Sequence, residues 1–276
     1  MRGVLLAACL AFAVTHASAA PPSRVVSVGG AVTEMVYALG AGTALVGADS
    51  TSIHPSEAGR LPRVGYMRQL SAEGVLSLKP ALVLATAEAG PPAVLEQIRG
   101  AGVRLERLHV RHSPEAVREN IRTIADALGR GTAGDALLQR FDADWGATRT
   151  RIAGLPTRPR VLFVMAHGGA PMVGGRDTAA DAMLALAGAV NAASGITGYK
   201  PLTAEAALAA APDVILVTDQ ALETGGIDAL LQRPGLALTP AGRAKRVATM
   251  DAVLLLGFGP RLPQAVDELA TKVRAW

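Results

Sequence analysis

The sequence predicts an α/β protein built as two lobes of similar construction. Two observations carry that prediction. The first is a repeated grammar. Ser71-Ala72-Glu73 leads through Leu76 and Pro80 into the apolar run 81–86. Thr203-Ala204-Glu205 leads through Leu208 and Pro212 into Val214–Thr218, with cap, glutamate, leucine, proline and strand at the same offsets. In each copy the Ser or Thr suits a helix N-cap, and the glutamate suits the positive end of the helix. Upstream lies a second matched pair: Gly29-Gly30 opening the run to Leu39-Gly40, and Gly174-Gly175 opening the run to Leu186-Ala187-Gly188. Two matched pairs in the same order argue for duplicate lobes, and they are too few and too far apart for a solenoid. The second observation is the alternation of strand and helix patterns through both halves, which points to a mostly parallel sheet.

Residues 1–19 read as a signal peptide. Met1-Arg2-Gly3 gives a basic start, residues 4–14 form an apolar run too short to span a bilayer, and Ala17-Ser18-Ala19 is an A-x-A cleavage site. Leu6-Ala7-Ala8-Cys9 resembles a lipoprotein box, but the apolar run continues beyond Cys9. Cleavage near Ala19 is the expectation, leaving an exported, soluble chain with no cysteine.

The 276 residues suffice for two lobes of ordinary domain size, and with 50 % apolar but only 3 % aromatic residues the cores should be Ala, Leu and Val. The net charge of +4 falls by one when Arg2 leaves with the leader. No stretch clusters Lys or Arg with stacking aromatics, which argues against a nucleic-acid partner.

The first lobe is expected over residues 20–132. It starts with a strand at 24–28, a helix at 33–39, a strand at 44–47 and a polar connection at 49–60. Gly65-Tyr66-Met67-Arg68-Gln69-Leu70 then puts a tyrosine in a glycine-flanked turn with an arginine two residues later. A short helix follows, and Pro80 ends it before the strand of the repeat. A helix at 92–100, a strand at 103–108 and an amphipathic helix at 114–128, with Val117, Ile121, Ile124 and Leu128 on one face, complete the lobe. Residues 133–155 read as one linking helix, about 30 Å long at 1.5 Å per residue. The second lobe, 156–276, opens on the strand 160–165 and closes on a helix from Pro263 to Trp276.

Several chemistries have no motif here. There is no Gly-x-Ser-x-Gly, P-loop or H-E-x-x-H, and the paired glycines lack the spacing of a dinucleotide fingerprint. His109 and His112 form an H-x-x-H pair without a third ligand nearby, so they read as surface residues.

Gly65-Tyr66-Met67-Arg68-Gln69-Leu70-Ser71-Ala72-Glu73-Gly74, Pro171-Met172-Val173-Gly174-Gly175, Thr239-Pro240-Ala241-Gly242-Arg243 and Gly257-Phe258-Gly259-Pro260-Arg261 together resemble periplasmic haemin-binding proteins. These are the substrate-binding components of bacterial haem ABC importers, and the resemblance runs over essentially the whole mature chain. It implies two Rossmann-like lobes joined by one long helix, a ligand cleft between them, a periplasmic location, no enzymatic activity, and haem (iron protoporphyrin IX) as the transported ligand.

The resemblance also assigns roles. Tyr66 matches the tyrosine that serves as axial ligand of ferric haem, a hard phenolate donor. Free tyrosine ionises near about pH 10, so it needs help from the iron or a neighbouring cation. Arg68 and Arg243 are expected to pair with the tyrosinate or the propionates through the planar guanidinium fork, with Arg233 and Arg246 open alternatives in the second lobe. His167, followed by Gly168-Gly169, is either a second iron ligand or a loop histidine that only hydrogen-bonds. Tyr199 would line the pocket. Glu73 and Glu205, one per lobe, are expected to dock onto an ABC permease dimer, alongside a plainer role at their helix N-termini. An outer-membrane haem receptor system would stand upstream. The rival readings are a ferric siderophore or corrinoid on the same scaffold, and an exported haem-processing enzyme using Tyr66 and Arg68.

Overall fold

A computed structural model of the chain describes residues 21–109, 111–165, 170–223 and 225–276. The leader and His167 lie outside them.

The first lobe contains β1 (Val25–Val28), α1 (Gly30–Ala38), β2 (Leu45–Ala48), β3 (Gly65–Tyr66), β4 (Gln69–Leu70), α2 (Ala72–Ser77), β5 (Leu82–Ala85), α3 (Pro92–Gly100), β6 (Arg104–Arg107) and α4 (Pro114–Ala127). Its sheet has the order β2-β1-β5-β6 and is parallel throughout. β1 and β5 are central and read VVSV and LVLA, buried at every position, as strands covered on both faces should be.

The second lobe contains β7 (Arg160–Met165), β8 (Met172–Gly174), α6 (Ala179–Leu186), β9 (Val190–Asn191), β10 (Tyr199–Pro201), α7 (Ala204–Ala210), β11 (Val214–Thr218), α8 (Gly226–Leu231), α9 (Pro240–Arg243), β12 (Val247–Met250), α10 (Ala252–Leu256) and α11 (Leu262–Lys272). Its sheet runs β10-β8-β7-β11-β12, with β9 also paired to β7. β7, β9, β11 and β12 are parallel, but β8 and β10 are antiparallel. The expected mostly parallel sheet is found, with an antiparallel edge at β8 and β10. Few residues separate Met165 from Met172, and a parallel crossover needs a dozen or more, so the chain turns straight back.

The repeat is visible in space. Ser71 caps α2 by accepting from Gly74 N at 3.1 Å, and Thr203 caps α7 by accepting from Ala206 N at 3.1 Å. Each helix feeds the strand that its proline precedes, β5 in one lobe and β11 in the other.

Between the lobes runs the 23-residue α5 (Gly131–Ala153), about 35 Å long. It packs on α4 of the first lobe and α11 of the second. Leu137, Leu138, Phe141 and Trp145 are its buried apolar residues, and they join a core that also takes in Val25 and Leu84 from one sheet and Phe163 and Leu216 from the other. Each lobe keeps a separate core on the opposite face of its sheet.

Candidate functional site

The site is built on the hairpin β3–β4, in which Tyr66 faces Gln69 and Met67-Arg68 form the turn. Gly65 has φ +102°, and a Cβ there would stand 2.9 Å from the Gln69 carbonyl oxygen. Only glycine meets both conditions easily. The hairpin is fixed on two sides. Toward β2, Ser50 N donates to Gly65 O at 2.9 Å and Val64 N to Ala48 O at 3.1 Å. Toward the loop after β5, Leu70 N donates to Gly90 O and Gly90 N to Met67 O, both at 2.9 Å.

The strand β2 leads into the hairpin through a loop ordered by a fully buried Asp49. Its carboxylate accepts from Gly29 N (2.8 Å), Thr51 N (3.0 Å), Thr51 Oγ1 (2.7 Å) and Ser52 Oγ (2.8 Å). Arg63 closes the loop by donating to the carbonyls of Asp49 and Ser52 at 2.7 and 3.0 Å. So many donors to one carboxylate offset its desolvation and leave the loop a single geometry.

On this support Tyr66 is 38 % exposed, its ring open to solvent. Arg68, two residues on, forms an ion pair with Glu88 of the loop after β5. Burial works against the Arg68 charge, but the Glu88 carboxylate and, more weakly, Tyr66 and Tyr199 raise its pKa overall. Tyr199, in the second lobe, is mostly buried and feels the charges of this group. Burial raises its pKa most, contacts with the Ala180 amide and the Thr178 hydroxyl oppose the shift, and Glu88 and Arg68 of the first lobe act on it with opposite signs. Tyr66 and Tyr199, singled out in the sequence, thus both lie within electrostatic reach of Arg68.

Arg243 is not. It ends α9, where Ala241 N donates to Pro212 O just ahead of β11, so it stands where the strands begin rather than where the site lies. Its guanidinium donates to Leu238 O at 2.6 Å. Arg246 immediately precedes β12 at that same end.

Two residues of the group escaped the sequence reading. One is Glu88. The other is His112, read there as surface but half-buried, its ring 5.0 Å from that of Phe258 in the second lobe and tilted by 47°. Burial lowers its pKa and Glu88 partly opposes the shift. The only available signal was the Gly257-Phe258-Gly259 motif, which marked one partner of the pair. No cluster of three or more His, Cys, Asp or Glu suited to a metal occurs among the described residues.

Glu73 and Glu205 are both exposed in the first turns of their helices. Glu205 bonds its own amide and Thr203, which lowers its pKa.

The family model for periplasmic binding proteins matches residues 25–254. The chain belongs to that family. Among solved periplasmic binding proteins it is similar to the periplasmic heme-binding protein BhuT in complex with two hemes: 53 % identity, 91 % of this chain and 97 % of that chain covered, TM-score 0.86. It is also similar to an uncharacterized ABC transporter substrate-binding lipoprotein, YvrC of Bacillus subtilis, with 30 % identity over 91 % of this chain and 80 % of the relative. A vitamin B12-binding protein of Vibrio cholerae is more distant, at 25 % identity over 99 % and 98 %. These homologues are binding proteins rather than enzymes.

Proposed function

We propose that this periplasmic binding protein captures haem between its two lobes and delivers it to an inner-membrane ABC importer. The observation that carries the reading is a half-exposed phenol, Tyr66, held on a well-bonded hairpin two residues from a guanidinium. Tyr66 supplies a phenolate to the ferric iron. Arg68 offsets the negative charge of that phenolate or of the propionates, and Tyr199 lines the opposite wall. The likeness to a heme-binding protein at 53 % identity supports this choice of ligand.

Glu73 and Glu205, exposed and equivalent under the repeat, dock onto the two halves of a permease dimer. The chain reaches the periplasm by cleavage near Ala19 and performs no chemistry on its cargo. A corrinoid is the alternative, favoured by the vitamin B12-binding relatives. A ligand panel separates the two. Haemin should raise the thermal midpoint of the mature protein in a concentration-dependent way, as any ligand that binds only the folded state does, and cyanocobalamin or a ferric siderophore should not. Stabilisation by cyanocobalamin alone would replace the haem reading.

A further inference from the structure

The Arg68–Glu88 ion pair is not explained by ligand capture alone. A cleft for an anionic porphyrin sets a carboxylate against the very guanidinium that would meet the ligand's negative groups. Glu88 is not there by accident of a loose loop. The segment that carries it is bonded to the Tyr66 hairpin in both directions, through Leu70 N to Gly90 O and Gly90 N to Met67 O. The Arg68 and Glu88 side chains are 54 % and 34 % exposed, so the pair is open to solvent. Partners exchange more easily there than in a core, because neither charge must be stripped of water first.

We propose that Glu88 is an internal competitor for Arg68. In the empty cleft Glu88 occupies the guanidinium, and loading requires the ligand's own anionic groups to displace it. The proposal rests on the haem reading and gives it a selectivity device. A porphyrin bearing carboxylates, or one whose iron draws a phenolate, can take Arg68, whereas a neutral ligand of similar shape leaves the ion pair standing and gains nothing from the guanidinium. The same competition limits affinity, which favours release at the importer.

The test is a double-mutant cycle on haemin affinity in the full mature chain, using wild type, Glu88→Gln, Arg68→Ala and the double variant, with folding checked by circular dichroism. Glu88→Gln should tighten haemin binding about fivefold, the scale of a partly exposed ion pair. The gain should disappear in the Arg68→Ala background, because without the arginine there is nothing to compete for. Weaker binding by Glu88→Gln would overturn the proposal and make Glu88 a residue that positions Arg68. A gain that persists without Arg68 would also overturn it, leaving simple repulsion of an anionic ligand. A wild type that does not bind haemin would instead remove the haem reading itself.

Discussion

Gly65 and Tyr66 are neighbours with opposite demands: one must lack a side chain so that the other can present its own. Gly65→Ala should force a positive φ on a residue with a Cβ and press that Cβ toward the Gln69 carbonyl. Expected results are a stability loss of about 1–2 kcal/mol and weakened haemin binding, read by chemical denaturation and titration on the same sample. His112 makes a pH prediction. Its folded pKa lies below the unfolded value of about 6.5 because burial disfavours the charged ring. The folded state therefore binds fewer protons, and the stability it contributes is present above about pH 6.5 and lost as pH falls through the depressed pKa. Thermal midpoints of wild type and His112→Gln between pH 8 and 5 should show the variant losing less on acidification. Tyr66 and Arg68 were legible in the sequence because they share one contiguous turn. The grouping of Glu88 with His112 was not, because they come from separate loops, as does Phe258, and meet only after folding. Arg243 misled for a related reason: a motif does not reveal whether its loop lies where the strands begin or where they end.

At the level of elements, the repeat was the readable part. A hydroxyl cap, a glutamate, a proline and an apolar run are local signals, and each fixes one helix and the strand it feeds. The structure returns both caps with the same 3.1 Å bond. Ser71→Ala and Thr203→Ala should each cost about 1 kcal/mol, and the costs should add because the caps lie in different lobes. Urea unfolding of the two single variants and the double variant checks this, and haemin binding by Thr203→Ala should be unchanged. The short antiparallel strands β8 and β10 were not readable as such. Their three residues apiece carry too little periodicity, and their pairing depends on how short the connection from β7 is.

Across the whole molecule, the lobes are joined by more than α5. Arg261 at the start of α11 donates to both carboxylate oxygens of Glu34 in α1, with Nε to Oε2 at 2.8 Å, and the Glu34 side chain is only 5 % exposed. Beside it, Gly30 allows the lobes to touch, since a Cβ there would lie 2.7 Å from Cγ1 of Val253 in α10. Removing one partner strands the other, so Arg261→Ala should cost about 3 kcal/mol. That corresponds to roughly 6–12 °C in thermal midpoint for a chain of this size, measurable by calorimetry. The two-lobed build followed from the repeat, but this clamp joins residues 227 positions apart, which no local pattern can announce. It fixes how the first lobe meets the second through α1 and α11.

The most direct measurement of the central claim is a haemin titration of the mature protein followed by visible absorption, with Tyr66→Phe alongside. The wild type should give a saturable ferric high-spin tyrosinate spectrum. Tyr66→Phe should lose that spectrum, with affinity falling more than the roughly 10- to 100-fold typical of losing a supporting residue around a metal. An unchanged spectrum and affinity in Tyr66→Phe would contradict the claim.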